Sequence, residues 1–193
     1  MSVRFDPERH IYTVDGEQLP SVTEVCRFCA YDYKSDRPWL AEAAARRGTA
    51  VHEACALIDY GEEPEETPEI AGYLKAYRRF LADCKPDWEL IEHPMGDASL
   101  GFAGTLDRYG TIDGVQTLLD IKTGTVHTAA VSAQLAGYRS LLFQERGSLV
   151  FAACALKLSR DGTYDLSRIV PDSDLFRACF RLHHYATEKG KKR

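Results

Sequence analysis

Asp107, Asp120 and Lys122 are the residues of this chain whose types and spacing can do chemistry together. They flank Asp113-Gly114, a dipeptide that strongly signals a two-residue type I′ hairpin turn, with Ile112 and Val115 as the pair that closes it. Antiparallel register carried back from that turn places Asp107 directly opposite Asp120, Leu106 opposite Ile121 and Thr105 opposite Lys122. Alternation along the strands then puts the acids and the lysine on one face and the apolar residues on the other. Two carboxylates facing across strands repel by roughly 1 kcal/mol in water at about 4 Å, and by about 4 kcal/mol at an effective dielectric near 20. A divalent cation is the simplest compensation, and oxygen ligands suit magnesium or manganese. On this reading Asp120→Asn leaves the metal-free protein as stable, or more stable by on the order of 1 kcal/mol.

Several elements must position this hairpin. Residues 3–19 form a small β-hairpin turning at Asp15-Gly16, and Ser21 with Glu24 three residues on marks a helix start. Helices are expected from about Pro38 to Tyr60, ended by Gly61, and from Ile70 to Cys84. A strand at about Trp88–His93 precedes the hairpin. Thr128–Arg146 reads as a helix whose small residues Ala133, Ala136, Gly137 and Ser140 let it lie close on a sheet. Leu149–Leu158 reads as a buried strand with Tyr164–Val170 as its outer neighbour, and Asp172 or Ser173 caps a final helix to about Glu188. This order predicts an α/β (α+β) fold, a mixed β-sheet flanked by helices, without internal repeats or linkers.

With 193 residues, 45% of them apolar and 27% charged, the chain fits one domain spanning 1–193. The N-terminal segment is too polar for a signal peptide, and the longest apolar run, about Leu149–Leu156, is too short to span a membrane, so a cytoplasmic protein is expected. A net charge of −5 argues against coating nucleic acid by bulk electrostatics, but Arg46-Arg47, Arg78-Arg79 and the run from Lys189 to Arg193 leave room for a local basic groove. Of six cysteines only Cys26 and Cys29 are close in sequence, and no second Cys or His pair at comparable spacing follows. Scattered reduced thiols, mostly buried, are expected rather than a zinc site or a disulfide framework.

Four segments recur in a family order: Arg47-Gly-Thr-Ala-Val-His52, Gly104-Thr-Leu-Asp-Arg108, Asp120-Ile-Lys-Thr-Gly124 and Gln134-Leu-Ala-Gly-Tyr138. In these the chain resembles the PD-(D/E)XK nuclease superfamily, in its RecB-like branch of phage-type, CRISPR-associated and mitochondrial genome-maintenance exonucleases. The resemblance runs from roughly Leu19 to Tyr138 and implies a restriction-endonuclease-like core. It implies that His52, Asp107, Asp120 and the main-chain carbonyl of Ile121 bind magnesium or manganese, and that Lys122 positions or helps deprotonate the attacking water. It further implies substrate contacts from Gln134, Tyr138, Thr123 and Arg47. Glu53 and Glu92 are spare acids, either of which could hold a second metal or a ligand. An iron-sulfur cluster, which one branch holds with one cysteine before the core and three after it, is not expected, because Cys154 and Cys179 stand alone.

The implied activity is metal-dependent hydrolysis of DNA phosphodiester bonds, an exonuclease more than an endonuclease, on single-stranded or processed ends in phage or bacterial recombination or repair. The competing classes are a catalytically silent DNA-binding or adaptor module and a nuclease subunit that needs a helicase or recombination partner. Oligomeric state and cleavage polarity are not read from the sequence.

Overall fold

The computed structural model describes residues 2–7, 9–29 and 38–190. The side chains of the basic run from Lys189 to Arg193 lie outside the described residues.

Five strands make the central sheet in the order β4-β5-β6-β7-β8: β4 (Asp87–Asp97), β5 (Phe102–Ile112), β6 (Val115–Lys122), β7 (Ala152–Leu158) and β8 (Tyr164–Arg168). The first three form an antiparallel meander, β6 and β7 are parallel, and β8 closes as an antiparallel edge. The parallel step needs a crossover, which α4 (Thr128–Arg146) supplies. The sheet is therefore mixed and flanked by helices, as the element order predicts. Helices α1 (Val22–Cys26), α4 and α5 (Ser173–Gly190) pack on one face through Val22, Leu118, Leu135, Leu142 and Phe176. Helices α2 (Pro38–Asp59) and α3 (Ala71–Cys84) pack on the other through Val51, Leu74, Phe80, Leu119 and Ile121.

The turn chemistry holds. Asp113 and Gly114 have φ of 51° and 74°, the double positive φ of a type I′ turn, and the ladder runs from Ile112↔Val115 to Arg108↔Leu119 in the expected register. The N-terminal hairpin turns at Asp15-Gly16 between β2 (Ile11–Val14) and β3 (Glu17–Leu19), and Val3–Asp6 adds a third strand, β1. Ser21 caps α1 by accepting from the Glu24 amide at 3.0 Å, and Asp172 accepts from the Leu175 amide at the start of α5.

Two expectations are corrected. β7 begins at Ala152, and Leu149 and Phe151 are exposed, because an apolar run shows burial potential without saying which residues find a covering layer. Gly137 serves helix packing rather than close approach to the sheet: a Cβ there would lie 2.8 Å from the Phe176 ring of α5 and 3.0 Å from Val22 of α1.

Candidate metal centre

The β5–β6 ladder stops one step short of the acids. Arg108↔Leu119 is its last pair, and at the next step the Asp107 Oδ2 accepts a hydrogen bond from the Ile121 amide at 2.6 Å. Asp107 and Asp120 are therefore not a ladder pair. Leu106 and Ile121, expected on one apolar face, belong to opposite core layers. The Asp107 side chain has taken an amide that the ladder would use, and a second irregularity lies on the other side of β5. The β4–β5 ladder skips the step between Ile91↔Arg108 and His93↔Leu106, where Glu92 has a φ of 43°. A non-glycine residue in the left-handed region breaks strict alternation, and such residues cluster at functional sites.

Into this gap α2 inserts His52. Its Nε2 lies 3.1 Å from the Ile121 carbonyl, while Nδ1 lies 3.4 Å from Glu92 Oε1 and 3.6 Å from Asp107 Oδ1. One ligand atom from each of His52, Glu92 and Asp107 falls within 4.8 Å of the other two, and no other such group of three occurs among the described residues. An imidazole nitrogen with two carboxylate oxygens is a donor set for magnesium or, better, manganese. A histidine that ligates a metal commonly donates its other ring N–H to a carbonyl, which is the relation Nε2 has to Ile121.

Asp120 lies beside this cluster. Lys122 Nζ sits 2.8 Å from its Oδ1 and 2.7 Å from its Oδ2, so the ammonium faces both carboxylate oxygens and donates its hydrogen bond to Oδ1. Lys122 also reaches Gln134 Oε1 at 3.2 Å, and Gln134 Nε2 reaches the Tyr138 hydroxyl at 3.2 Å. The repulsion expected between Asp107 and Asp120 is thus offset inside the protein by Lys122.

Electrostatics follow the geometry. Burial, with the nearby Asp120 and Glu92 charges, pushes the Asp107 carboxyl up to about 6 against the pull of His52. Burial opposes the charge on His52, but Asp107 and Glu92 outweigh it and raise the imidazole to about 9. Burial likewise opposes the Lys122 ammonium, and Asp120 and Asp107 overcome it and hold Lys122 above its ordinary value. Glu92 is kept below the usual carboxylate range, since His52 and Arg108 outweigh its burial.

The contacts above join His52, Glu92, Asp107 and Ile121 in one set and Asp120, Lys122, Gln134 and Tyr138 in a second, and the two sets meet where Asp120 and Ile121 are consecutive on β6. Tyr138 is 4% exposed, with its ring against Gly104 and its hydroxyl toward Gln134 and Thr23, so it offers the site a hydroxyl and not a ring face. Gly104 has a steric reason here, since a Cβ would lie 2.9 Å from that ring. Thr123 follows the lysine, and a Cβ on Gly48 of α2 would stand 3.6 Å from its Oγ1. Arg47 turns away from the cluster toward Tyr73 and Glu69, lining with them and Arg160 a cavity of about 350 Å³. Of the spare acids, Glu53 is exposed and Glu92 is in the cluster. Arg108, fully buried behind Glu92, carried no sequence signal beyond its place after Asp107.

No protein-family model matches the sequence, and no curated protein sequence matches it. Among solved structures the chain is similar to an alkaline exonuclease (LHK-Exo) from Laribacter hongkongensis, with 14% identity over 89% of this chain and 93% of that one and a TM-score of 0.37. At that TM-score the likeness carries no weight, and any functional reading rests on the residues of the site.

Proposed function

We propose that this chain is a divalent-metal-dependent DNA phosphodiester hydrolase, an exonuclease on single-stranded or processed ends. The observation that carries the reading is the convergence of His52, Glu92 and Asp107 next to a paired Asp120 and Lys122. His52, Glu92 and Asp107 would hold the ion, and the resemblance adds Asp120 and the Ile121 carbonyl, which here are engaged by Lys122 and by His52 Nε2. Held there, magnesium or manganese would supply a Lewis acid for a non-bridging phosphate oxygen and for the attacking water.

The remaining roles belong to the side chains. Lys122 is held protonated by Asp120 and Asp107, so it stabilises charge on the phosphate and orients the attacking water rather than taking its proton. Gln134 accepts from Lys122 and fixes the direction of its ammonium, and Tyr138 in turn contacts Gln134. Asp107, tied to the Ile121 amide, keeps its other oxygen toward His52. The intact pairing of Lys122 speaks against a catalytically silent module. The exonuclease mode and the DNA substrate are supported by the resemblance of the four segments.

The test is cleavage of end-labelled single strands, duplexes and closed circles in magnesium or manganese. Digestion of linear DNA with circles intact is expected. Nicked circles would make it an endonuclease, and no cleavage of any substrate in either metal would overturn the reading.

A further inference from the structure

We infer that Arg108 is a positioning residue that sets the metal-facing geometry of Glu92 and His52, acting with Asp59 and Tyr77; the inference rests on the metal-site reading above. Arg108 is 0% exposed. Its Nε donates to Asp59 Oδ2 at 2.6 Å, and its Nη1 donates to Glu92 Oε1 at 2.9 Å and to the Asp107 carbonyl at 2.7 Å. Asp59 Oδ2 also accepts from the Tyr77 hydroxyl at 2.6 Å, and the guanidinium carbon lies 6.0 Å from the Tyr77 ring centroid. One guanidinium therefore ties together α2, α3, β4 and β5.

Three features make this more than a buried ion pair. First, the surroundings are apolar: Cys55, Tyr77, Leu119 and Ile121 lie in the same core layer, where a hydrophobic side chain of similar volume often serves stability as well as a buried charge network does. Second, Asp59 lies seven residues beyond His52 on α2, about two turns along and on the same face. Anchoring Asp59 to β5 through Arg108 thus sets the distance between the helix that carries His52 and the strands that carry Asp107 and Glu92. Third, Glu92 occupies the left-handed backbone region, and Arg108 contacts the carboxylate that this conformation turns inward. Only a forked, permanently charged group can hold Asp59 and Glu92 at once, which lysine cannot do.

The test is manganese binding measured by calorimetry on the full chain, with melting in chelator as the control for folding. Wild type, Arg108→Met, Arg108→Lys, Tyr77→Phe, Glu92→Gln and the Arg108→Met/Glu92→Gln double variant are compared. Arg108→Met is expected to weaken manganese binding about 10- to 100-fold, as loss of a partner behind a metal ligand does. Arg108→Lys and Tyr77→Phe should fall between it and wild type. Because Arg108 acts largely through Glu92, the double variant should bind much less weakly than the product of the two single losses predicts. If Arg108→Met does not fold, Arg108→Lys and Tyr77→Phe, each made with and without Glu92→Gln, carry the same comparison. Variants that melt lower yet bind manganese like wild type, or losses that simply multiply, would make Arg108 a structural residue only. A wild type that binds no manganese would remove the metal reading itself, and this inference with it.

Discussion

Asp107 accepts a hydrogen bond from the Ile121 amide where a regular ladder would have paired Asp107 with Asp120. One carboxylate oxygen holds the two strands together, and the other lies 3.6 Å from His52 Nδ1. The two acids that the turn register places face to face are thereby given different partners. Asp107 belongs to His52 and Asp120 belongs to Lys122.

That difference predicts opposite signs for two isosteric changes in chelator at pH 8. Asp107→Asn removes a buried charge whose carboxyl is already pushed up to about 6, and the amide oxygen can still accept from Ile121. Its stability should hold or rise by on the order of 1 kcal/mol. Asp120→Asn leaves Lys122 without its main counter-charge and should cost on the order of 3 kcal/mol. This reverses the effect that facing carboxylates alone suggest for Asp120. Urea melts of both variants decide it, and a stabilised Asp120→Asn would mean that repulsion outweighs the lysine pair.

Lys122→Ala is expected to lower DNA cleavage by several orders of magnitude, leave manganese binding within a few-fold of wild type, and reduce stability in chelator. The reason is the same pair: the lysine supplies charge to the phosphate and neutralises Asp120, which is 1% exposed. Single-turnover cleavage, calorimetry and melting separate the three effects. Loss of manganese binding equal to the loss of cleavage would instead place Lys122 among the residues that organise the ligands.

Much of this site is legible in local patterns of residues. Asp113-Gly114 sets the register, and helical periodicity places Gln134 and Tyr138 one turn apart on α4. The same periodicity ends α2 near Gly61, so that His52 comes from a helix interior. Nothing local sets Glu92 apart from Glu53, because the positive φ that Glu92 adopts is uncommon for a residue other than glycine and leaves no mark in the sequence. Arg108 was hidden for a related reason. An arginine in an alternating strand reads as solvent-facing, and its partner Asp59 is 49 residues away. Long-range charge pairing leaves no local period, so the network behind the site appears only once the layers are assembled.

Tyr138 allows a clean separation of hydroxyl from ring. Tyr138→Phe keeps the packing against Gly104 and should change stability little, while lowering cleavage a few-fold by loosening Gln134 and, through it, Lys122. Tyr138→Ala empties a buried site and should cost about 3 to 5 kcal/mol. Melting and cleavage measured together test this. A Phe variant as active as wild type would confine Tyr138 to packing.

The sharpest pH prediction comes from His52 and Asp107 together. A group whose folded pKa is raised contributes stability that is present below its unfolded value and is lost as pH rises through its folded value. For His52 the ordinary value is 6.5 and the folded one about 9, so its contribution fades between those limits. Asp107 is raised from 3.8 to about 6, and its protonated form is the favoured one in the fold, so stability again falls as pH rises through that window. Glu92, held low, acts in the opposite sense only up to about its ordinary value of 4.5, so without metal the site loses stability from about pH 5 to 9, by on the order of 3 kcal/mol for the histidine step. A bound cation reverses the preference, since it needs His52 neutral and Asp107 ionised, and its stabilising effect must grow with pH. Thermal melts at pH 6, 7, 8 and 9, in chelator and in millimolar magnesium, should diverge toward high pH, and His52→Gln should flatten the chelator series above pH 6.5. Melting temperatures in chelator that rise from pH 6.5 to 9 in wild type would overturn the charge pairing of His52 with Asp107 and Glu92, and a magnesium shift that is the same at every pH and survives His52→Gln would exclude His52 from the metal centre.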